Sequence, residues 1–562
     1  MGEMADVFKL VLSQLNPKVG AIRENAALVR RARRAAADRG AHIVVTGELV
    51  ISGYPPEDLV CRPAFLDSVE QVVLNLAAET EDGGPALLVG APWRIEGRLY
   101  NAALLVDQGR VCDIALKHHI PNYGVFDEVR TFHAASKVAP LNVRGVQCGV
   151  MICEDMWQPD VASNLARAGA EILIVLNGSP WQPGKREHRH ELAADRAKTA
   201  GLPLVYVNQI GGQDELVFDG SSFVLGSRGD VLLQMDSWCE GVADVTWTSQ
   251  VTGGKKHLSY EGEPSVLQSD HDLEDMYQAL VVGLRDYVTK NCFPGVLVGL
   301  SGGIDSALSA AVAVDALGPQ AVWCVMLPSV YTSEQSLCDA QAVVDLLGCR
   351  FDHIDITPMV SAWELTLRPF FKDRPADVTE ENVQSRVRGT ILMALSNKFG
   401  HMVLSTGNKS EMCTGYATLY GDMCGGYSVL KDVYKTRVVQ LSRWRNAQSV
   451  RGALGPSGTV IPQTIIDKPP SAELRPGQKD EDNLPPYSVL DVILECLVEG
   501  QKSVSEAVHE AGVPRPIVEH VWTLLNRAEY KRRQAPPGVK VTSMALGRER
   551  RYPITHGFTG AV

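Results

Sequence analysis

The chain has 562 residues, of which 45% are hydrophobic and 21% charged, and these ordinary globular values exclude disordered and fibrous classes. Its 66 acidic and 54 basic residues give a net charge of −12, which argues against a nucleic-acid binder because phosphate backbones need basic surface. The sequence contains no apolar run of about 18 residues, so no membrane partner is predicted. At roughly 150 residues per domain, the length indicates more than one domain.

The twelve cysteines are too sparse for a disulfide scaffold, and none of them forms a Cys-x-x-Cys pair. We therefore expect reduced thiols, a cytoplasmic location and no zinc–cysteine site. The neighbours of each cysteine decide whether one of them is catalytic.

The first half of the chain alternates apolar runs of strand length with helical stretches. Strands are predicted at residues 7–12, 42–46, 86–89, 102–106, 146–152, 172–176 and 204–207, and helices at 25–38 and 161–168. Runs that are apolar on both faces predict strands covered by other layers. The pattern weakens from about residue 237 to 269, where paired glycines and a proline punctuate it. We predict a first domain over 1–250, a linker over 251–270 and a second domain over 271–562.

The second half begins with a helix at His271, whose first turns carry acidic residues as helix N-termini favour. Strands at 295–300, 321–326 and 350–354 then alternate with helices at 306–316 and 333–347. This alternation predicts an α/β domain with a doubly wound parallel sheet. The Pro-rich stretches 461–486 and 535–538 are predicted loops, and the acidic run 480–482 is predicted to be a solvated surface.

A glycine-rich turn, Ser301-Gly302-Gly303-Ile304-Asp305-Ser306, joins the strand at 295–300 to the next helix. Its glycines let the backbone approach an anion closely, and the helix N-terminus offers N–H groups and a positive dipole end. Asp305 suits a phosphate site only if a divalent cation lies between the two negative groups. The absence of a Walker lysine excludes a kinase-like P-loop. The plainer alternative is a glycine-rich turn with a capping residue.

This turn resembles the pyrophosphatase-type loop of ATP-dependent adenylating amidotransferases and synthetases. The resemblance implies an adenine nucleotide alpha hydrolase-like, Rossmann-like domain that uses ATP as co-substrate. The implied ATP contacts are Gly299, Leu300, Ser301, Gly302, Gly303, Ile304, Asp305 and Ser306.

Two later segments, Leu404–Glu411 and Gly415–Asp422, resemble the NAD synthetase family. The resemblance implies that Thr406 and Lys435 contact ATP and that Asp305 and Glu411 share Mg²⁺. It also implies that deamido-NAD is bound by Asn382, Glu411 and Lys531. Taken singly, these residues have plainer interpretations as a capped strand end, surface lysines and a helix N-terminal asparagine.

In the first half, Cys153 ends an apolar strand, a position where a cysteine is usually a small buried hydrophobe. Glu48 follows another predicted strand, and Lys117 precedes His118-His119. A thiol needs a base to become a thiolate, and a tetrahedral oxyanion needs a cation, so these residues supply one catalytic set. The two histidines have no third ligand at helical or hairpin spacing, and no metal site is predicted there.

Together these segments resemble the nitrilase superfamily over most of residues 1–240, which implies an αββα sandwich. The resemblance implies that Glu48 is the general base, Lys117 the oxyanion-stabilising cation and Cys153 the nucleophile. It implies that Glu128 positions the lysine and that Tyr54 helps to shape the pocket. The implied glutamine contacts are Tyr123, Ser179 and Lys185, the last of which has an equal alternative as a loop lysine within a basic run.

An amidase joined to an adenylating domain predicts a glutamine amidotransferase, a carbon–nitrogen ligase. The pairing resembles the glutamine-using form of the NAD synthetase family, which implies glutamine hydrolysis and conversion of deamido-NAD and ATP to NAD, AMP and pyrophosphate. It also implies a homo-oligomer with dimeric contacts between synthetase domains and assemblies up to an octamer. The alternatives are another ATP-dependent glutamine amidotransferase acting on a small carboxylate, and a non-catalytic nucleotide-sensing scaffold.

Overall fold

The structure, a computed structural model, describes residues 7–252, 255–266, 271–372 and 374–558. The chain divides into two compact units, one of Met1–Gln213 with Val217–Asp270 and one of Asp214–Leu216 with His271–Val562. None of the helices within the described residues is both long enough and apolar enough to cross a bilayer.

The strands of the first unit form two large sheets and a two-stranded ribbon. In chain order they are β1 (Val7–Gln14), β2 (Ile43–Val45), β3 (Ala86–Ile95), β4 (Arg98–Asp107), β5 (Arg110–Leu116), β6 (Leu141–Val143), β7 (Val146–Ile152), β8 (Ile172–Asn177), β9 (Leu204–Asn208), β10 (Ile210–Gln213), β11 (Leu216–Asp219), β12 (Phe223–Leu225), β13 (Val231–Gln234), β14 (Gly241–Thr252) and β15 (Lys255–Tyr260). One sheet has the order β15-β14-β1-β2-β3-β4-β5, the other has the order β13-β12-β9-β8-β7-β6, and β10 pairs with β11.

Within the described part of this unit, five α-helices accompany the strands: α1 (Ile22–Ala37), α2 (Pro63–Glu79), α3 (Glu154–Trp157), α4 (Pro159–Arg167) and α5 (Lys185–Ala200). Apolar side chains of the two large sheets meet in one buried cluster, which contains Leu12 and Ile174. A second cluster joins α1 and α2 to the first sheet, and a third joins α4 and α5 to the other. The unit is therefore the αββα sandwich that its resemblance to the nitrilase superfamily implied.

The predicted strands and helices of the first half are confirmed, within a few residues at their ends. The hairpin β14–β15 was missed because the apolar pattern is weak there, and its part beyond residue 250 was predicted to be linker. β14 lies beside β1 in antiparallel register, so residues 241–252 extend the first sheet. Gly253, Gly254 and residues 267–270 of the predicted linker lie outside the described residues, and the domain boundaries stay a prediction.

The second unit contains a five-stranded parallel sheet with helices. Its strands are β16 (Val296–Gly299), β17 (Val322–Met326), β18 (Arg350–His353), β19 (Met402–Ser405) and β20 (Tyr427–Ser428). Its helices are α6 (Asp272–Lys290), α7 (Ile304–Leu317), α8 (Glu334–Leu347), α9 (Thr357–Phe371), α10 (Val378–Phe399), α11 (Lys409–Thr414), α12 (Lys435–Ala447), α13 (Gln463–Asp467), α14 (Tyr487–Leu497), α15 (Val504–Ala511), α16 (Arg515–Arg527) and α17 (Glu529–Arg532). The predicted helix at His271 and the strand–helix alternation that follows are confirmed.

The sheet order β18-β17-β16-β19-β20 makes the second unit doubly wound, as predicted. The strand order reverses between β16 and β19, and such sheets bind ligands beyond the carboxyl ends of the strands at this reversal. The glycine-rich turn follows β16, and Thr406 follows β19. The topology therefore brings two sequence-predicted segments to the same crevice.

The acidic run 480–482 corrects a sequence prediction. Asp480 is buried, and its carboxylate accepts a hydrogen bond of 2.9 Å from the Tyr487 hydroxyl. Only Glu481 and Asp482 are exposed, as a solvated run requires. Three consecutive acids predict a polar surface, but a short turn can direct one of them inward.

Candidate active sites

The predicted nucleophile of the first unit, Cys153, lies at a sharp turn between β7 and α3. Cys153 has φ 46° and ψ −95°, a conformation that residues with a Cβ rarely adopt and that often occurs at functional sites. Its N–H donates to the Leu176 carbonyl at 2.9 Å, which ties the turn to β8. Burial, and then the charge of Glu48, raise the pKa of Cys153 well above its usual range. The resting side chain is therefore a thiol at neutral pH.

Lys117 lies between two carboxylates. Its Nζ is 2.7 Å from Glu48 Oε1 and 2.8 Å from Glu128 Oε2. Burial alone lowers the pKa of Lys117, but the charges of Glu128 and Glu48 outweigh burial and raise this pKa well above its usual range. Burial raises the pKa of Glu48, and the charge of Lys117 only partly opposes that rise. The cluster thus holds a permanent cation beside a carboxylate that accepts a proton readily.

Neighbouring groups fix both carboxylates in place. Asn101 Nδ2 donates to Glu48 Oε1 at 2.7 Å, and the Gly178 N–H donates to Glu48 Oε2 at 3.0 Å. The Tyr54 hydroxyl donates to Glu128 Oε1 at 2.9 Å. A Cβ on Gly178 would lie 2.9 Å from the Tyr54 ring, so this position has no room for a side chain. The sequence did not indicate Asn101, which lies 53 residues from its partner Glu48.

The three predicted glutamine contacts lie around this cluster. The Tyr123 hydroxyl donates to Glu154 Oε2 at 2.7 Å, and Glu154 directly follows Cys153 in the chain. Ser179 directly follows Gly178, whose N–H binds Glu48, and the Ser179 N–H donates to Asn208 Oδ1 at 3.0 Å. Lys185 Nζ lies 5.8 Å from the Phe126 ring centre and 6.0 Å from that of Trp157. The fold thus gathers residues that are up to 62 positions apart in sequence.

In the second unit, the glycine-rich turn has the geometry of an anion loop. Gly302 has φ +77°, and a Cβ there would lie 2.4 Å from the Ser336 carbonyl oxygen, so only glycine fits. Ser306 Oγ accepts from the Ser301 N–H at 3.2 Å and donates to the Gly303 carbonyl at 3.0 Å. Helix α7 begins directly after Gly303, which has no side chain to cap the first N–H groups, and a helix start of this kind can bind an anion.

Asp305 and Glu411 converge on Lys435. Lys435 Nζ forms a close ion pair with Asp305 and lies 3.7 Å from Glu411 Oε1. Asn408 Nδ2 donates to Asp305 Oδ1 at 2.9 Å, and the Asn408 N–H donates to Glu411 Oε2 at 3.2 Å. Burial, and then the charge of Asp305, raise the pKa of Glu411 to about 8. Two partly buried carboxylates that converge on one place supply the oxygen donors that Mg²⁺ prefers, so these residues fit the predicted ion.

A cavity of about 290 Å³ opens over this loop. Among the predicted ATP contacts, its lining includes Gly299, Leu300, Ser301, Gly303, Ile304, Asp305, Ser306, Thr406 and Lys435. Gly302 is not among the lining residues, because it lies against Ser336. The sequence missed two lining cations, Arg388 and Lys468, which are distant from any glycine-rich motif.

The two predicted deamido-NAD contacts that lie away from the loop flank one short segment. Asn382 Oδ1 accepts a hydrogen bond of 2.9 Å from the Thr418 hydroxyl. Lys531 Nζ donates to the carbonyls of Gly415 at 2.8 Å and Ala417 at 2.6 Å. Ala417 lines the cavity, whereas Asn382 and Lys531 are not among the lining residues that the described chain supplies. Both residues therefore border the cavity through residues 415–418.

Fold and sites define the class of protein: a nitrilase-type amidase unit and a nucleotide-binding synthetase unit in one chain. Family models agree, since residues 9–256 match "Carbon-nitrogen hydrolase" and residues 276–535 match "NAD synthase".

Relatives match the chain over almost its whole length. Glutamine-dependent NAD(+) synthetase of Rhodobacter capsulatus is 48% identical over 98% of this chain and 99% of its own length. The corresponding protein of Xanthomonas campestris is 45% identical over 99% of each. A solved structure of glutamine-dependent NAD+ synthetase from Acinetobacter baumannii, in complex with ADP, is 40% identical over 98% of both chains with a TM-score of 0.76. The chain belongs to the glutamine-dependent NAD(+) synthetase family, ligases that take their amido nitrogen from glutamine.

Proposed function

We propose that this chain converts deamido-NAD to NAD, using glutamine as nitrogen source and ATP as co-substrate. The observation that supports the proposal is that one chain contains both groups of candidate catalytic residues, one for glutamine hydrolysis and one for ATP-dependent amidation. A buried glutamate–lysine pair accompanies a cysteine at a strained turn in the first unit. An anion loop with two carboxylates and a lysine lies over a cavity in the second unit.

In the first unit, Cys153 is the nucleophile toward the side-chain amide of glutamine. Because its pKa is raised, the thiol must lose its proton as it attacks, and Glu48 is the base that accepts this proton. The sulfur–carbon bond forms as the carbonyl π bond opens to an oxyanion, which the ammonium group of Lys117 stabilises. Tyr123, Ser179 and Lys185 bind the glutamine.

Collapse of the oxyanion breaks the carbon–nitrogen bond. Glu48 returns its proton to the leaving nitrogen, so ammonia departs and a thioester to Cys153 remains. Glu48 then takes a proton from water, whose oxygen attacks the thioester carbonyl. As the carbon–sulfur bond breaks, Glu48 gives this proton to the sulfur, so glutamate leaves and the thiol is restored. Glu128 keeps Lys117 in place through the second hydrogen-bonded ion pair.

In the second unit, the loop and the lysines bind ATP while a carboxylate oxygen of deamido-NAD attacks the α-phosphorus. The first N–H groups of α7 and the hydroxyls of Ser301 and Ser306 hold the departing pyrophosphate. Thr406 and Lys435 complete the ATP contacts. Ammonia then attacks the acyl carbon of the adenylate, AMP leaves, and NAD is formed.

Mg²⁺ is the proposed cofactor, and Asp305 and Glu411 would hold it. A bound divalent ion would neutralise phosphate charge at this position. Lys435 keeps the two carboxylates together and supplies one positive charge of its own. Asn408 orients both carboxylates through its side chain and its N–H.

Deamido-NAD is proposed to extend from the cavity toward residues 415–418. Asn382, Glu411 and Lys531 are its proposed contacts. Burial lowers the pKa of Lys531, as expected for an ammonium group that is partly removed from water. An anionic substrate beside Lys531 would favour its charged form.

The chain is also proposed to act as a homodimer that assembles further, up to an octamer. Helix α9 contains no buried residue, and Trp363, Leu365 and Phe370 are 49%, 65% and 77% exposed. An apolar helix of this kind marks an interaction surface, and a second copy of the chain is the proposed partner. In sedimentation experiments, Leu365→Glu should weaken self-association, whereas Glu364→Gln on the same helix should not. If both variants self-associate as strongly as the unchanged chain does, the proposal that α9 forms the interface is wrong.

A cytoplasmic location is proposed from the chemistry of the thiols. All twelve cysteines, which lie within the described residues, are free, and the proposed mechanism requires Cys153 as a thiol. Reducing compartments preserve such thiols.

The test of the function is an assay of NAD formation from deamido-NAD and ATP, with AMP measured in parallel. The purified chain should form NAD and AMP in equal amounts, first with glutamine and then with ammonium as nitrogen source. AMP release with a different small carboxylate, and none with deamido-NAD, would replace this proposal by another glutamine amidotransferase. Absence of AMP with every carboxylate would favour a nucleotide-sensing scaffold.

A further inference from the structure

Three metal-ligating groups converge at a place that neither proposed reaction uses. The Nε2 atoms of His118 and His119 and the carboxylate of Asp160 lie within 4.8 Å of one another. Asp160 Oδ1 is 2.9 Å from His119 Nε2, and Asp160 Oδ2 is 3.8 Å from His118 Nε2. The sequence offered no third ligand near the two histidines, but α4 brings Asp160 from 41 residues away.

Hydrogen bonding fixes how His118 faces this cluster. Its Nδ1 lies 2.7 Å from the Ala135 carbonyl, which can only accept, so Nδ1 carries the proton. In the neutral ring, Nε2 then presents a lone pair toward Asp160. A lone pair and a carboxylate repel one another unless a proton or a metal ion lies between them, and a metal ion can serve both histidines and the carboxylate at once. Histidines that bind metals typically donate their other ring N–H to a carbonyl in this manner.

The spacing of the donor atoms suits a small transition metal ion. In a tetrahedral zinc site with bonds of about 2.0–2.2 Å, neighbouring ligand atoms lie about 3.3 Å apart. The measured 2.9 Å and 3.8 Å fall on either side of this value. Two imidazoles and one carboxylate favour Zn²⁺ and its neighbours over Mg²⁺ or Ca²⁺, which prefer oxygen alone. The side chains are 28%, 31% and 47% exposed, so an ion and a water ligand can reach them from solution.

We propose that His118, His119 and Asp160 form a binding site for one divalent transition metal ion of the zinc class. The backbone near the site is already organised. The N–H groups of His118 and His119 donate to Asp155 Oδ1 at 3.0 Å and 2.8 Å. Asp155 Oδ2 accepts from the Ile152 N–H at 3.0 Å.

The position of the site predicts that a bound ion stabilises the fold of the first unit. His118 follows Lys117 directly, and α4 begins a few residues after Cys153. A bound ion would therefore join the two segments that carry the lysine and the cysteine. Because the ion binds the folded unit, it should raise the temperature at which the first unit unfolds.

The experiment uses the full chain, stripped with a chelator and titrated with Zn²⁺ by calorimetry and with Co²⁺ by visible absorption. One ion should bind with the spectrum of nitrogen and oxygen ligands. His119→Ala and Asp160→Ala should each weaken binding at this site at least about tenfold. His133→Ala is the matched control, since His133 also places Nδ1 near a carbonyl, that of Leu99, and should leave affinity unchanged.

Metal bound by cysteines elsewhere would persist in every variant and would show thiolate charge-transfer bands with Co²⁺. Unchanged Zn²⁺ affinity in both His119→Ala and Asp160→Ala would overturn the proposal, as would no binding to the unchanged chain. Circular dichroism and thermal unfolding show that each variant is folded. His119→Gln supplies a second test at the same position with less change in volume.

Discussion

Lys117 and Glu48 form an ion pair in which Nζ and Oε1 are 2.7 Å apart and both side chains are 0% exposed. Removing two charges from water is costly, and the pair is retained only because further groups satisfy it. Glu128, Asn101 and the Gly178 N–H provide those contacts. With one cation and two carboxylates, the cluster has excess negative charge. This excess contributes to the raised pKa of Glu48.

Cys153→Ala tests the division of labour between the units. Loss of the nucleophile should reduce glutamine-dependent NAD formation by at least about three orders of magnitude. Ammonia-dependent formation should remain, because the second unit contains all the groups proposed for adenylation. Cys148→Ala is the control, since Cys148 is a buried cysteine on β7, the strand that leads to Cys153, and this variant should retain glutamine use. Loss of ammonia-dependent activity in Cys153→Ala would contradict the assignment.

Glu128→Gln tests the electrostatic coupling within the cluster. Glu48 must be deprotonated to act as a base, so glutaminase activity should rise with pH through the pKa of Glu48. Burial and the charge of Glu128 both raise that pKa, so removal of the Glu128 charge should lower it. The acidic limb of kcat/KM for glutamine should therefore move to lower pH.

The measurement is the pH profile of glutamine hydrolysis for Glu128→Gln and for Tyr54→Phe. Tyr54→Phe removes a hydrogen bond to Glu128 without removing its charge, so its acidic limb should stay closer to that of the unchanged chain. A limb that stays in place or moves to higher pH in Glu128→Gln would show that this charge does not control Glu48.

Gly302→Ala should disable the anion loop, because its Cβ would lie 2.4 Å from a backbone oxygen in a left-handed conformation. We expect a stability loss of about 1–3 kcal/mol and a severe loss of NAD formation with either nitrogen source. Gly303→Ala is the matched control. Gly303 has φ −97°, and its added Cβ would meet only Ser301 Oγ at 3.3 Å. Denaturant unfolding and ATP binding measure both variants, and equal effects at the two glycines would refute the geometric argument.

Asp305→Ala should reduce NAD formation about 100-fold or more with glutamine and with ammonium alike. The variant removes an ion-pair partner of Lys435 and a proposed Mg²⁺ contact, and both precede the use of ammonia. Glutamine hydrolysis in the first unit should persist. Asp345→Asn, an exposed carboxylate on α8, is the control for charge alone. A defect confined to glutamine-dependent synthesis would place Asp305 outside adenylation.

Local pattern predicted much of the fold. Apolar runs located strands such as β7 and β8, because a strand buried on both faces needs continuous apolar residues. The motif at 301–306 predicted an anion loop, because glycines and a helix N-terminus act over a few residues. Strand β14 was not predicted, because its apolar pattern is weak and its pairing partner β1 lies more than 200 residues away.

The sequence by itself determined the two units, the family and the residue types of each proposed site. Only the tertiary structure decided which side chains meet. It placed Asn101 on Glu48, Asn408 on Asp305 and Asp160 beside two histidines. Such contacts join residues that are 41 to 103 positions apart in sequence. Their energy depends on burial and on the distances between charges in the folded chain, and a local sequence pattern contains neither quantity.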